Sequence, residues 1–145
     1  YTPASNLLCG LAEAIKMLVD EEGLETVFAR HARLAEATRR AVAAWGLETV
    51  AQVESEKSNS LTAVLLPEGH DADAFRSVVL QHFNMSLGNG LGRLAGRAFR
   101  IGHLGDFNEL MLAGTLSGVE MGLAAAGIPH SKGGVQAALD FLSEI

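Results

Sequence analysis

Apolar residues return at intervals of three and four through Leu7, Leu8, Leu11, Ile15 and Leu18, the spacing that lines one face of a helix. Pro3 suits a first turn and Gly23 a stop, so the pattern predicts a helix over residues 3–21. A second helical period covers residues 24–45 through Val27, Phe28, His31, Leu34, Thr38, Val42 and Trp45. Arg30, Arg33, Glu36, Arg39 and Arg40 fall mostly on its other faces, and Gly46 ends it. The period then shortens to two. Residues 47–53 alternate weakly, and residues 61–66 are a β-compatible run closed by Pro67, with a polar loop between them. Asp71 is placed to cap a helix carrying Phe75, Val78, Val79 and His82 on one face. Residues 85–87 read as a third strand, and residues 98–103, which set Phe99 and Ile101 against Arg100, read as a fourth. Asp106 with Glu109 forms a capping box for a helix running to about Ala126 and striped with Gly114, Gly118 and Gly122; Ser131 opens a last helix with Val135, Ala138, Leu139 and Leu142. No repeat or linker interrupts this order. The expectation is one α+β domain over residues 1–145, a small, mostly antiparallel sheet covered on one side by helices.

Composition narrows the function classes. A length of 145 residues suffices for one core, and a net charge of -6 argues against nucleic acid, which needs clustered cations to displace counterions. The single cysteine, Cys9, offers no intrachain disulfide and no thiolate metal cage; in an apolar helical stretch it reads as small core filler in a reducing cytoplasm. The stretch over residues 110–128 is apolar, but Glu120 lies inside it. A carboxylate at a bilayer centre costs about 2.5–3.5 kcal/mol, so the expectation is a soluble helix whose glycines admit a close neighbour, and no membrane partner. The chain opens at Tyr1 with no signal-peptide pattern, and its last residues are no peroxisomal address, so a missing upstream portion and a cytoplasmic location are expected.

Two places carry candidate chemistry. Gly90, Gly92 and Ala95 match the spacing of a dinucleotide fingerprint, but that fingerprint must open a helix, and here a strand follows almost at once. The glycines read instead as a flexible loop allowing close backbone approach. Arg100 is the stronger candidate. A guanidinium held mid-strand presents paired N–H donors to one carboxylate, and glycines leave its surroundings open. From spacing alone, a structural ion pair with one of the seventeen acids is the favoured reading.

The stretch Gly88-Asn89-Gly90-Leu91-Gly92-Arg93-Leu94-Ala95-Gly96-Arg97-Ala98-Phe99-Arg100-Ile101-Gly102-His103-Leu104-Gly105 resembles the C-terminal signature of the class V aminotransferases that use glyoxylate, in which a glycine-containing loop leads into an R-I-G-x-x-G strand. Tyr1-Thr2-Pro3-Ala4-Ser5-Asn6-Leu7-Leu8 resembles that family's join between large and small domains, and Gly23-Leu24-Glu25 with Phe28-Ala29-Arg30-His31 resembles its "G-L-E…R-H" helix. The resemblance implies the small domain of a fold-type I enzyme dependent on pyridoxal 5'-phosphate (PLP), moving an amino group from alanine or serine to glyoxylate or a similar 2-oxo acid. It implies that Arg100 binds the substrate carboxylate and that Thr2, with Tyr1 beside it, contacts the cofactor phosphate of a neighbouring subunit, hence a homodimer. Residues 1–22 would link to a large PLP-binding domain. Thr2 also has the chemistry of a helix N-cap before Pro3. His103 is read as a strand-end residue without a catalytic role.

A Schiff-base lysine is wanting. Lys16, Lys57 and Lys132 all lie in polar surroundings typical of surface amines, so this chain alone would bind and not catalyse. The alternative is a stand-alone α+β module for small carboxylates or dimerisation. A cysteine desulfurase relative would need a nucleophilic cysteine on a mobile loop, and Cys9 sits in a predicted helix.

Overall fold

The computed structural model describes residues 3–144. Helix α1 (Ser5–Ile15) runs into a π-helix (Lys16–Glu22), which stops at Gly23, where φ is +85°. Helix α2 (Leu24–Ala44) follows, then β1 (Glu48–Thr49), β2 (Leu61–Leu65), α3 (Ala72–Phe83), β3 (Gly88–Asn89), β4 (Ala98–Gly102), α4 (Glu109–Ala125) and α5 (Gly134–Leu142). The strands form one antiparallel sheet in the order β1-β2-β4-β3, so β4 is central, paired with β2 on one side and β3 on the other.

Register separates the two faces of the sheet. Val64 lies opposite Phe99, and Thr62 opposite Ile101; all four are buried beneath helices. Phe75 of α3 meets Phe99 at a centroid distance of 4.8 Å. Helices α2 and α3 pack on this face, α4 packs against both, and α5 fills the angle between α2 and α4. The other face carries Leu61, Ala63, Leu65, Ala98, Arg100 and Gly102, with no helix of the described residues over it; Ala98 is buried, Gly102 exposed and the others half-buried. The expected α+β architecture, covered on one side, is the one observed.

The glycine stripe of α4 works at two of its three positions. A methyl on Gly122 would run into Val79 and Phe75 of α3, and one on Gly118 would lie 2.8 Å from Met85, whereas Gly114 faces open space. Glu120, the acid inside that apolar stretch, reaches across to α5: it accepts from the Trp45 indole (2.7 Å) and from the amides of Val135 (3.1 Å) and Gly133 (3.2 Å). It therefore serves the orphan donors at the start of α5, which begins at Gly134 and not at Ser131.

Other expectations need correction. The capping box at Asp106 is not formed; Asn108 is the cap of α4, its side chain accepting from Met111 N at 2.9 Å. The third strand is Gly88–Asn89 and not residues 85–87, because Met85 and Leu87 serve the core while the backbone two residues later reaches β4. The first strand shrinks to two residues as the chain turns away after Val50. Helix α1 starts at Ser5 from an unassisted cap at Ala4, so Pro3 precedes the helix. Cys9 is exposed, not core filler, because none of α1 is buried. Among the described residues, no helix is long and apolar enough to cross a membrane.

Candidate functional site

Arg100 stands at the middle of the central strand on the uncovered face. Its cross-strand neighbours are Ala63 and Gly88, two of the smallest residues available. Gly88 is a slot for the side chain, since a Cβ there would lie 3.0 Å from both Cβ and Nε of Arg100. Laid across that slot, Nε donates to the Asn89 carbonyl at 2.8 Å. Among the described residues no carboxylate comes within 4.0 Å of the guanidinium, so the structural ion pair that spacing favoured is not made. With Nε engaged, the terminal Nη1 and Nη2 pair remains, the end-on geometry that grips a carboxylate bidentately.

The glycine-rich loop beside Arg100 is built, not loose. Gly90 N donates to Ala98 O at 2.9 Å, Arg97 N to Leu94 O at 3.0 Å, and Gly96 O takes the amide of Ala72 at 2.8 Å. A Cβ on Gly90 would collide with the Leu94 carbonyl, which explains this glycine by close packing of backbone on backbone. Residues 92–94 make one 3₁₀ turn and the strand follows, so no helix opens toward a pyrophosphate.

The exit of β4 is held by two histidines and an arginine. His103, fully buried, donates through Nδ1 to the Asn59 carbonyl (3.2 Å), while its Nε2 accepts from the Thr62 hydroxyl (2.9 Å). Burial pushes its pKa down to about 4, so the ring is neutral and structural. Two residues on, Gly105, with φ at +80°, has both peptide groups taken by consecutive side chains of α2: its N–H donates to His31 Nε2 (2.9 Å), and its carbonyl accepts from Arg30 Nη1 (2.8 Å). The adjacency of Arg30 and His31 was visible in the sequence; what each holds was not, because Gly105 lies more than seventy residues away.

The lysines are scattered. Lys16 is 55% exposed and pairs with Glu21 at 3.0 Å, Lys57 is half-buried against Glu54 at 2.7 Å, and Lys132 is exposed before α5. Tyr1 and Thr2 lie outside the described residues. A groove of about 760 Å³ runs past Glu48, Leu65, His70 and Arg97, and Arg100 does not line it. Among the described residues, no three His, Cys, Asp or Glu side chains gather to hold a metal ion.

A serine–glyoxylate aminotransferase of Methylorubrum extorquens is 50% identical over 145 residues, 99% of this chain and 36% of that protein. Over nearly its whole length the chain is similar to class V aminotransferases. A serine–glyoxylate aminotransferase of Arabidopsis thaliana is 51% identical over 98% of this chain and 35% of its own length. The crystal structure of pyridoxamine-pyruvate aminotransferase from Mesorhizobium loti superposes with a TM-score of 0.88 at 31% identity, covering 98% of this chain and 36% of that one. The chain thus spans about a third of the length of the curated relatives it matches. No family model matches it.

Proposed function

We propose that this chain is the C-terminal small domain of a PLP-dependent aminotransferase, in which Arg100 holds the carboxylate of each substrate while an amino group passes from serine or alanine to glyoxylate. The observation that carries the reading is the Arg100 guanidinium, anchored by Nε, free of protein carboxylates among the described residues, and set on the uncovered face of the sheet. Relatives named for serine, for glyoxylate and for pyruvate share small carboxylate-bearing reactants, which is the chemistry one end-on guanidinium selects.

PLP, the family's cofactor, supplies when bound an electron sink for the amino group's carbon. The lysines described here do not fit its attachment: each is solvent-facing or tied to a glutamate. This chain's share is to bind and orient. The Nη1/Nη2 pair fixes the carboxylate in two places and so removes rotation about the bond to the reacting carbon, a contribution of orientation and not of proton transfer. In this reading the lysine lies on a large domain of the same protein, Thr2 and Tyr1 approach the cofactor phosphate across a homodimer, and the enzyme is cytoplasmic.

The test is Arg100→Ala in the full-length enzyme. Loss of a buried charge-assisted pair costs about 2–5 kcal/mol, so KM for glyoxylate should rise by a factor between roughly 30 and a few thousand. An unchanged KM would overturn the assignment.

A further inference from the structure

Among the described residues helix α1 packs substantially only against the π-helix that follows it, and none of its residues is buried. What fixes its direction lies at its base. The π-helix ends at Glu22, whose two carboxylate oxygens receive Nε and Nη2 of Arg30, each at 2.7 Å. The remaining terminal nitrogen of the same guanidinium donates to the carbonyls of Gly105 (2.8 Å) and Phe107 (2.9 Å), in the loop leaving β4. One side chain therefore ties the root of α1 to the exit of the strand that carries Arg100. The pairing with Glu22 raises the arginine's pKa and lowers the glutamate's, so both partners are charged at neutral pH.

We propose that Arg30 is a positioning residue, holding the direction of α1 fixed relative to the strand that carries Arg100. The proposal rests on the carboxylate-binding role given to Arg100. Leverage is what makes the clamp matter. Eleven helical residues span about 16 Å, so a tilt of about 10° at the base displaces the far end by roughly 3 Å. Errors of about 1 Å in alignment already cost up to 10²-fold in rate. A lysine could not replace the arginine, because only the planar fork reaches Glu22 and both carbonyls at once. His31 adds a second tie from α2 to this loop by accepting the Gly105 amide.

The experiment uses the full-length protein with Glu22→Gln, Arg30→Gln and Arg30→Lys. Hydrogen exchange over residues 5–22 and the steady-state constants with glyoxylate are read side by side. Expected are exchange faster by about tenfold in E22Q and R30Q, a fall in kcat/KM of about tenfold, and no rescue by R30K, which keeps the charge without the fork. E22Q leaves the contacts to Gly105 and Phe107 in place, so it decides the matter should R30Q fail to fold. Unchanged exchange in E22Q overturns the proposal, and so does faster exchange at constant kcat/KM, which would leave the clamp a purely structural device. A parallel R100A variant with unaltered KM strikes instead at the carboxylate-binding role.

Discussion

His103 follows Arg100 by three residues, but the two imidazole and guanidinium groups serve opposite ends. The arginine's terminal donors take no partner among the described residues, while both ring nitrogens of the histidine are spent on Asn59 and Thr62. That difference has a pH signature. With the folded ring titrating at about 4 and the unfolded one at 6.5, the unfolded state takes up a proton that the folded state refuses. Stability therefore rises with pH across that window, and acidification from neutrality to pH 4 should remove about 3 kcal/mol through this residue. Denaturant melts at stepped pH check it: His103→Gln should lower stability at pH 7 and flatten the slope between pH 4 and 6.5. Glu120 adds a second, more acidic step. Burial pushes its carboxyl up, but the hydrogen bonds from Trp45, Val135 and Gly133, with His130 nearby, outweigh that and hold it below 4.5. Its contribution is intact above the ordinary glutamate range and lost as the pH falls through its lowered pKa.

Along α4 the same residue type has opposite consequences at two positions. Gly114→Ala meets nothing within 4 Å and gains helix propensity, so it should stabilise the fold by about 0.5–1 kcal/mol. Gly122→Ala gains the same propensity but drives a methyl into Val79 and Phe75, an overpacking cost of about 1–3 kcal/mol that leaves it net destabilising. Chemical denaturation of the two variants gives shifts of opposite sign if the stripe is read correctly. Elements whose period is set by burial were legible from the residues: α2 and α3, and the alternation that turns Arg100 away from Phe99 and Ile101. Elements fixed by distant groups were not. Asp106 looked like a cap because Glu109 follows it, yet Asn108 takes the role, and α5 starts late because its first amides wait for Glu120 from another helix. Strand β3 was misplaced for a related reason: Gly88 and Asn89 have no apolar side chain to announce them, and they belong to the sheet through their backbone and through the room Gly88 makes for Arg100.

At the scale of the molecule, burial is lopsided. A single core joins α2, α3, α4, α5 and one face of the sheet, while Leu7, Leu8, Leu11 and Ile15 of α1, with Leu24 and Phe28 at the start of α2, stay exposed. The helical period of α1 was plain in the sequence, but period says only that one face is apolar, not that this chain supplies the cover; Cys9 was misjudged for that reason. The sheet's second face, with Arg100 on it, is only half-buried and has no helix of the described residues over it, which fits a chain that covers about a third of the length of its relatives. An eleven-residue helix without tertiary support is marginal in water. In this chain studied alone, amides of residues 5–15 should exchange within seconds while those around Leu34 and Val42 exchange only with global unfolding. Deleting residues 1–15 should then shift the unfolding free energy by no more than about 0.5 kcal/mol, the range for positions outside a core. Protection of α1 in the isolated chain matching that of α2 would show that the helix carries its own stability, and would remove the reason for giving it a partner.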